Sequence, residues 1–270
     1  MRAAPVRQPE RVLHLWSAFV KVVDCVQRSE AWRQARCGHL TASRAHVVLA
    51  RGRKGGDSLM RLDYRRQLIF EQLTGTPDDS QFVSAAMRRG LEQEPAARAA
   101  YAQHTGQRVE TSGFVAHDDL PIGCSLDGHV ARFTGLLRLP GVVEVKAPNT
   151  ATHLEYLTSR RIPARYRAQL THHLWITGAE WCDFVSFDDR LPPPMHLFVL
   201  RVHRDQVDVA GYARAATQFA EELLADVRAL QGLDVTALSR DALRQMLCGF
   251  VLRTAELQRR QPAFTLAGAA

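Results

Sequence analysis

The chain has 270 residues, 46% hydrophobic and 23% charged, with 35 Lys and Arg against 28 Asp and Glu for a net charge of +7. That length holds one large domain or two small ones, and no apolar run approaches the ~20 residues of a membrane span. The opening MRAAPVRQPERVLHLW lacks the apolar run and cleavage site of a secretory signal, and five scattered cysteines form no CxxC pair, so a cytoplasmic protein with reduced thiols is expected.

In chain order, residues 1–10 read as a loose tail and 13–26 (LHLWSAFVKVVDCV) have helical spacing. Ser29 is an N-cap for a short helix over SEAWRQAR (29–36). A second helix is expected over 41–52, followed by a mobile basic loop, RGRKGGD (51–57). Residues 58–75 predict a strong helix with Leu59, Leu62, Leu68, Ile69 and Leu73 on its buried side and Gly75 closing it. Another helical stretch, 80–106, contains Gly90 and Pro95, so a kink is expected near Glu94.

The period then changes to two. RVETSGFVAH, IGCSLDGHVAR and GVVEVKAP read as consecutive strands. Residues 163–178 predict a helix with Pro163 at its first position and Gly178 as its stop. EWCDFVSFD and MHLFVLRVHR are two further strands, and 205–231 and 236–260 are amphipathic helices. The order predicts an α/β fold: one central mixed β-sheet flanked by α-helices, in a single domain of 1–270. Its motif-bearing core spans about 29–204 and its C-terminal helices about 205–260.

Within the strand cluster, Asp127 stands in one run and Glu144 and Lys146 stand two apart in the next. Residues i and i+2 of a strand share a face, so Glu144 and Lys146 project together while Val143 and Val145 pack on the other side. Burying such a trio without partners is costly. Two readings follow. The carboxylates of Asp127 and Glu144 bind a divalent metal, with Lys146 holding or activating a water beside it. Alternatively, Glu144 and Lys146 form a same-face ion pair and Asp127 is a turn residue before Gly128. The arginine-rich charge balance suits phosphate contacts.

Five motifs stand in a definite order over about 29–188: WRQARCGHLTAS, RGLEQEPAARAAY, CSLDG, EVKAP and YRAQLTHHLWITG. Together they resemble the lambda-exonuclease (YqaJ-type viral recombinase nuclease) family of the PD-(D/E)xK superfamily. One departure is that SL, not proline, precedes Asp127. The resemblance implies a restriction-endonuclease-like core and a Mg2+-dependent 5′→3′ exonuclease acting on double-stranded DNA ends, with two ions bound and Mn2+ as a substitute. By motif, Asp127 and Glu144 become metal ligands, with the Val145 carbonyl as an extra one. Lys146 handles the nucleophilic water, Glu94 adds an acidic group, and Gln169, three after Tyr166, is the family's active-site glutamine. Arg36, Ser43 and Ser125 match a pocket for the 5′-terminal phosphate. From the residues alone, the favoured reading is that Ser43 caps the helix from Ala45 and Arg36 is a surface arginine.

The resemblance also implies a homotrimeric ring around DNA, a single-strand annealing protein as a further partner, and no membrane. Rival readings are an endonuclease or single-strand exonuclease of the same superfamily, or an inactive DNA-end-binding module. His172 and His173 are adjacent and point apart, so one is expected packed and the other exposed. Trp32, Trp175 and Trp181 are read as core. An apolar side chain in 45–55 is a candidate wedge between terminal base pairs.

Overall fold

The computed structural model describes residues 20–53, 55–78, 84–130 and 140–232. The expected helix at 236–260, the 13–19 part of the first helix, the 80–83 part of another, and Cys248 lie outside them. Contacts divide the chain into two units, Met1–Leu224 and Ala225–Ala270. In the second, described residues 225–231 are helical.

Nine strands occur among the described residues, in two sheets. The five-stranded sheet has the order β3 (Val109–Glu110), β6 (Gly128–Val130), β7 (Gly141–Lys146), β8 (Trp181–Phe187), β9 (Leu197–His203). It is antiparallel except for β7 and β8, which run parallel in register Glu144↔Phe184. A parallel pair needs a long crossover. Here α5 (Thr150–Ser159) and α6 (Ala164–Thr177) supply it. The four-stranded sheet has the order β1 (Val20–Val23), β4 (Phe114–His117), β5 (Ile122–Cys124), β2 (Leu40–Thr41).

The expectation of one sheet fails at a single place. IGCSLDGHVAR reads as one strand but breaks at Ser125–Asp127. Residues before the break pair in the four-stranded sheet as β5, and those after it pair in the other as β6. A three-residue link therefore joins the sheets.

Most helices form where the caps predict. α1 (Glu30–Arg36) begins at Ser29, whose side chain accepts from Trp32 N, and α3 (Leu59–Thr74) ends at Gly75 in the left-handed region. α4 (Ala85–Thr105) continues through Pro95, and Pro163 is the N-cap of α6, one position before the expected place. Three differences have physical causes. Residues 20–23 form an edge strand rather than a helix; three β-branched valines favour the extended chain. The 41–52 helix shrinks to α2 (Ala45–Val48) after a 3-10 turn at Ala42–Arg44. The described ends of the 51–57 loop are tied together by an Arg51↔Asp57 bridge and a Gly52 N–H donated to Gly56 O at 2.7 Å.

The side that α3 buries also differs. It is Arg61, Tyr64, Leu68 and Glu71, while Leu73 is exposed. Charged residues can occupy a buried stripe when they are paired. Arg61 meets Asp57 at 2.6 Å and Glu222 at 2.8 Å, and Glu71 accepts from Gly38 N at 2.7 Å. The last helix, α7 (Val209–Gln231), starts four residues later than expected. The four cysteines among the described residues are free thiols. No helix among those residues is long and apolar enough to cross a membrane.

Candidate active site

β7 separates its side chains as its alternation predicts. Val143 and Val145 pack with Ala97 and Tyr101 of α4 and with Val185 and Phe187 of β8. Glu144 and Lys146 point the other way, toward α6, and form an ion pair. Gln169 Nε2 donates to Glu144 Oε1 at 2.6 Å, and His173 Nε2 lies 2.7 Å from Glu144 Oε2. Gln169 and His173 are one helical turn apart, so one stripe of α6 supplies both. Asp127 stands at the end of the inter-sheet link, just before Gly128, which pairs with Val143. Its Oδ2 accepts from Val145 N–H at 2.8 Å, so it is more than a turn residue.

Glu94, from α4, is paired to Arg28 and Arg98, and Arg98 also donates to Asp127 O at 3.2 Å. It therefore stands beside the trio with its charge compensated. Burial, and then the Glu144 charge, push Asp127 up to about 7 against the pull of Lys146. Burial would raise Glu144 too, but Lys146 and His173 outweigh it and hold Glu144 below the usual carboxylate range. Lys146 is held as an ammonium, because Glu144 and Asp127 outweigh its burial.

Two carboxylates pushed apart in this way suit a hard divalent cation, which would relieve their repulsion. Among the described residues no three metal-ligating side chains converge. Mg2+ needs no more than one or two carboxylates, because it keeps several waters and takes substrate oxygens. The donor set fits it.

Arg36 and Ser125 also meet. Arg36 Nη1 donates to Ser125 Oγ at 3.3 Å, Trp32 Nε1 donates to the same oxygen at 2.8 Å, and the Arg36 guanidinium lies 4.2 Å from the Trp32 ring centre. Trp32, Arg36, Ser43 and Arg44 line a cavity of about 190 Å3. Ser43 is exposed and lies in the 3-10 turn, its Oγ 3.4 Å from Thr41 Oγ1. It does not cap α2, whose N-cap is Arg44. Glu71 faces this cavity, but its oxygens are taken by Gly38 N, Gln67 Nε2 and Asp78 N. Trp175 and Trp181 are buried as expected, whereas Trp32 is half-buried at the cavity. In the 45–55 segment Leu49 is 45% exposed.

The histidine expectation is corrected: neither ring is exposed. α6 lies between the two sheets, and adjacent helical residues differ by about 100°. His173 thus reaches β7 of one sheet, while His172 reaches Gly123 O of the other at 3.0 Å and Tyr212 OH at 2.7 Å. His173 is the Glu144 partner that sequence reasoning missed. Its signal was the spacing of four from Gln169. Arg28 and Arg98 were missed as well; the spacing of four from Glu94 signals Arg98, while no local pattern points to Arg28.

A family model described as the YqaJ-like viral recombinase domain matches residues 31–180. The crystal structure of an alkaline exonuclease (LHK-Exo) from Laribacter hongkongensis is 37% identical, covering 75% of this chain and 96% of that one, with a TM-score of 0.65. The same protein in complex with dAMP aligns equally well. A phage-related exonuclease from Haemophilus somnus is 14% identical, covers 70% of this chain and 96% of that one, and at a TM-score of 0.51 shares the fold. Among curated proteins no sequence matches the chain. With a family domain over more than half its length and a 37% identical exonuclease over three quarters of it, this chain belongs to the YqaJ-like viral recombinase family, a nuclease family of restriction-endonuclease-like fold.

Proposed function

We propose that this chain is a Mg2+-dependent 5′→3′ exonuclease that degrades one strand of linear double-stranded DNA from 5′-phosphorylated ends, leaving a 3′ single strand for annealing recombination. The supporting observation is that Lys146 and Gln169 both donate to Glu144 beside Asp127, at the end of the link that also carries Ser125. Held by Asp127, Glu144 and the Val145 carbonyl, two Mg2+ ions, or Mn2+ in their place, would stabilise charge on the phosphate and leaving oxygen and acidify the attacking water. Lys146, as an ammonium, orients that water and stabilises the negative charge that develops on the phosphate. Gln169 shares Glu144 Oε1 with Lys146, so both donors sit where a substrate oxygen would arrive. Glu94 adds an acidic group whose charge is compensated by Arg28 and Arg98.

Arg36, with Ser43 and Ser125, receives the terminal phosphate. A guanidinium and hydroxyls match a phosphate's charge and acceptor oxygens. The nuclease core is residues 29–204, acting in the cytoplasm as a homotrimeric ring with a single-strand annealing protein. The deciding experiment digests linear duplexes with 5′-phosphate, 5′-hydroxyl or blocked ends, with and without Mg2+. Metal-dependent loss of the 5′-phosphorylated strand is expected. Metal-independent cleavage, or equal attack on closed circles, overturns the reading.

A further inference from the structure

The stripe of α6 that supplies His173 and Gln169 continues outward. His173 is buried and Gln169 half-buried; the next residue on the stripe, one turn earlier, is the exposed Arg165. Arg165 is held in place. Its Nη2 donates to Tyr156 OH at 2.7 Å, and its guanidinium lies 4.8 Å from the centre of the Tyr166 ring. The same ring lies 5.1 Å from Lys146 Nζ. One tyrosine therefore joins Arg165 to the open edge of the site. Arg160 and Arg161, both exposed, stand in the turn before α6, at the same end of the helix.

This rim is charged without compensation. No aspartate or glutamate occurs between Glu155 and Glu180, and no ion pair is made by Arg160, Arg161 or Arg165 within the described residues. Elsewhere arginines meet carboxylates, as Arg61, Arg89, Arg98, Arg190 and Arg201 do. Arg160 also occupies a left-handed C-cap with φ 50°, a place where glycine is the usual and less strained choice. Guanidinium groups left without a carboxylate partner beside a phosphodiester-cutting site are suited to phosphate oxygens.

We propose that Arg160, Arg161 and Arg165 form a track for the sugar–phosphate backbone of DNA at the mouth of the Asp127–Glu144 site. The inference rests on the nuclease reading above. Arg167, also exposed, is two residues beyond Arg165 and so lies on the far side of α6. It serves as the internal control.

The test is metal-free binding of fluorescent DNA across a salt series, using the full chain. Each phosphate contact contributes about 0.9 to the log–log salt slope on duplex and about 0.7 on single strands. The combined variant Arg160→Gln, Arg161→Gln, Arg165→Gln should flatten the slope by about 2 to 3. The triple lysine variant should restore it, which separates charge from folding, and Arg167→Gln should leave it unchanged. Flattening on blunt duplex assigns the track to the incoming duplex, and flattening only on 3′-tailed DNA or single strands assigns it to the released strand. A wild-type slope in the triple glutamine variant, or an equal loss from Arg167→Gln, overturns the track. Wild-type protein that fails to degrade DNA brings down the nuclease reading and the track together, whereas normal degradation with an unchanged slope brings down the track alone.

Discussion

His173 Nε2 lies 2.7 Å from Glu144 Oε2, and both side chains are at most 2% exposed. The contact fixes which way the carboxylate faces while its other oxygen meets Lys146 and Gln169. Residues that orient a metal ligand from behind are typically worth about tenfold to hundredfold in metal affinity or activity. His173→Ala should therefore raise the Mg2+ concentration for half-maximal cleavage by that factor and weaken metal binding in calorimetry. His173→Gln, which keeps a donor near the same place, should recover much of both. Equal loss in the two variants would mean that His173 only fills space.

The carboxylates themselves carry a sharper expectation. Asp127→Ala and Glu144→Ala should abolish Mg2+-dependent hydrolysis and leave DNA binding intact, and Lys146→Ala should stop cleavage while metal still binds. Ca2+ should support binding without turnover, because its looser coordination positions the water poorly. Near wild-type cleavage by Glu144→Ala would sink the site assignment.

Arg36 is stacked on Trp32 and aimed at Ser125. Losing a charge-assisted contact to a terminal phosphate costs about 1.5–3 kcal/mol, or about ten- to hundredfold. Arg36→Ala should slow degradation of 5′-phosphorylated duplex by that factor and narrow its advantage over 5′-hydroxyl ends. The same loss on both substrates would make Arg36 a structural residue.

His172 gives a pH dependence to stability. Burial, and then the neighbouring His173, lower its pKa to about 3, although its bond to Gly123 O opposes this. An unfolded histidine titrates near 6.5. Because the folded value is the lower one, the unfolded chain takes up the proton first as pH falls. The stabilisation is full above about 6.5 and is lost toward 3, at about 1.4 kcal/mol per pH unit. Urea midpoints from pH 7.5 to 5 should fall more steeply for the wild type than for His172→Gln. Parallel curves would remove His172 from the account.

Assembly is open to a direct measurement. A closed ring of heterologous interfaces cannot leave DNA sideways, so it would keep degrading long duplexes even with few contacts per subunit. Light scattering should give about three times 30.2 kDa, and digestion should survive a competitor trap added after initiation. A monomeric mass with fully distributive digestion would refute the ring and leave the metal site standing.

The centre of the site was legible because β7 obeys a period of two: Val143 and Val145 against Glu144 and Lys146 need no long-range information. Gln169 entered through the motif resemblance rather than through periodicity. The rest depended on what lies across space. The spacing of four puts His173 on the stripe of Gln169, but that both neighbouring faces of α6 are buried, between two sheets, could not be read locally. The buried side of α3 was misread because Arg61 and Glu71 find partners more than a hundred and about thirty residues away, in Glu222 and Gly38. The break at Ser125–Asp127 was hidden inside an apolar run that reads as continuous.

That break has a mechanical consequence. Ser125 and Asp127 are two residues apart, so even a fully extended backbone holds their Cα atoms within about 7 Å, since each residue spans at most about 3.6 Å. Successive nucleotides along one strand rise about 3.4 Å. The tether between Ser125, which meets Arg36, and Asp127, which accepts from Val145 N–H, is thus about as long as two nucleotide steps. However the two sheets breathe against each other, covalent geometry keeps this interval from lengthening, so on the proposed reading the terminal-phosphate pocket and the metal-binding carboxylate stay in step.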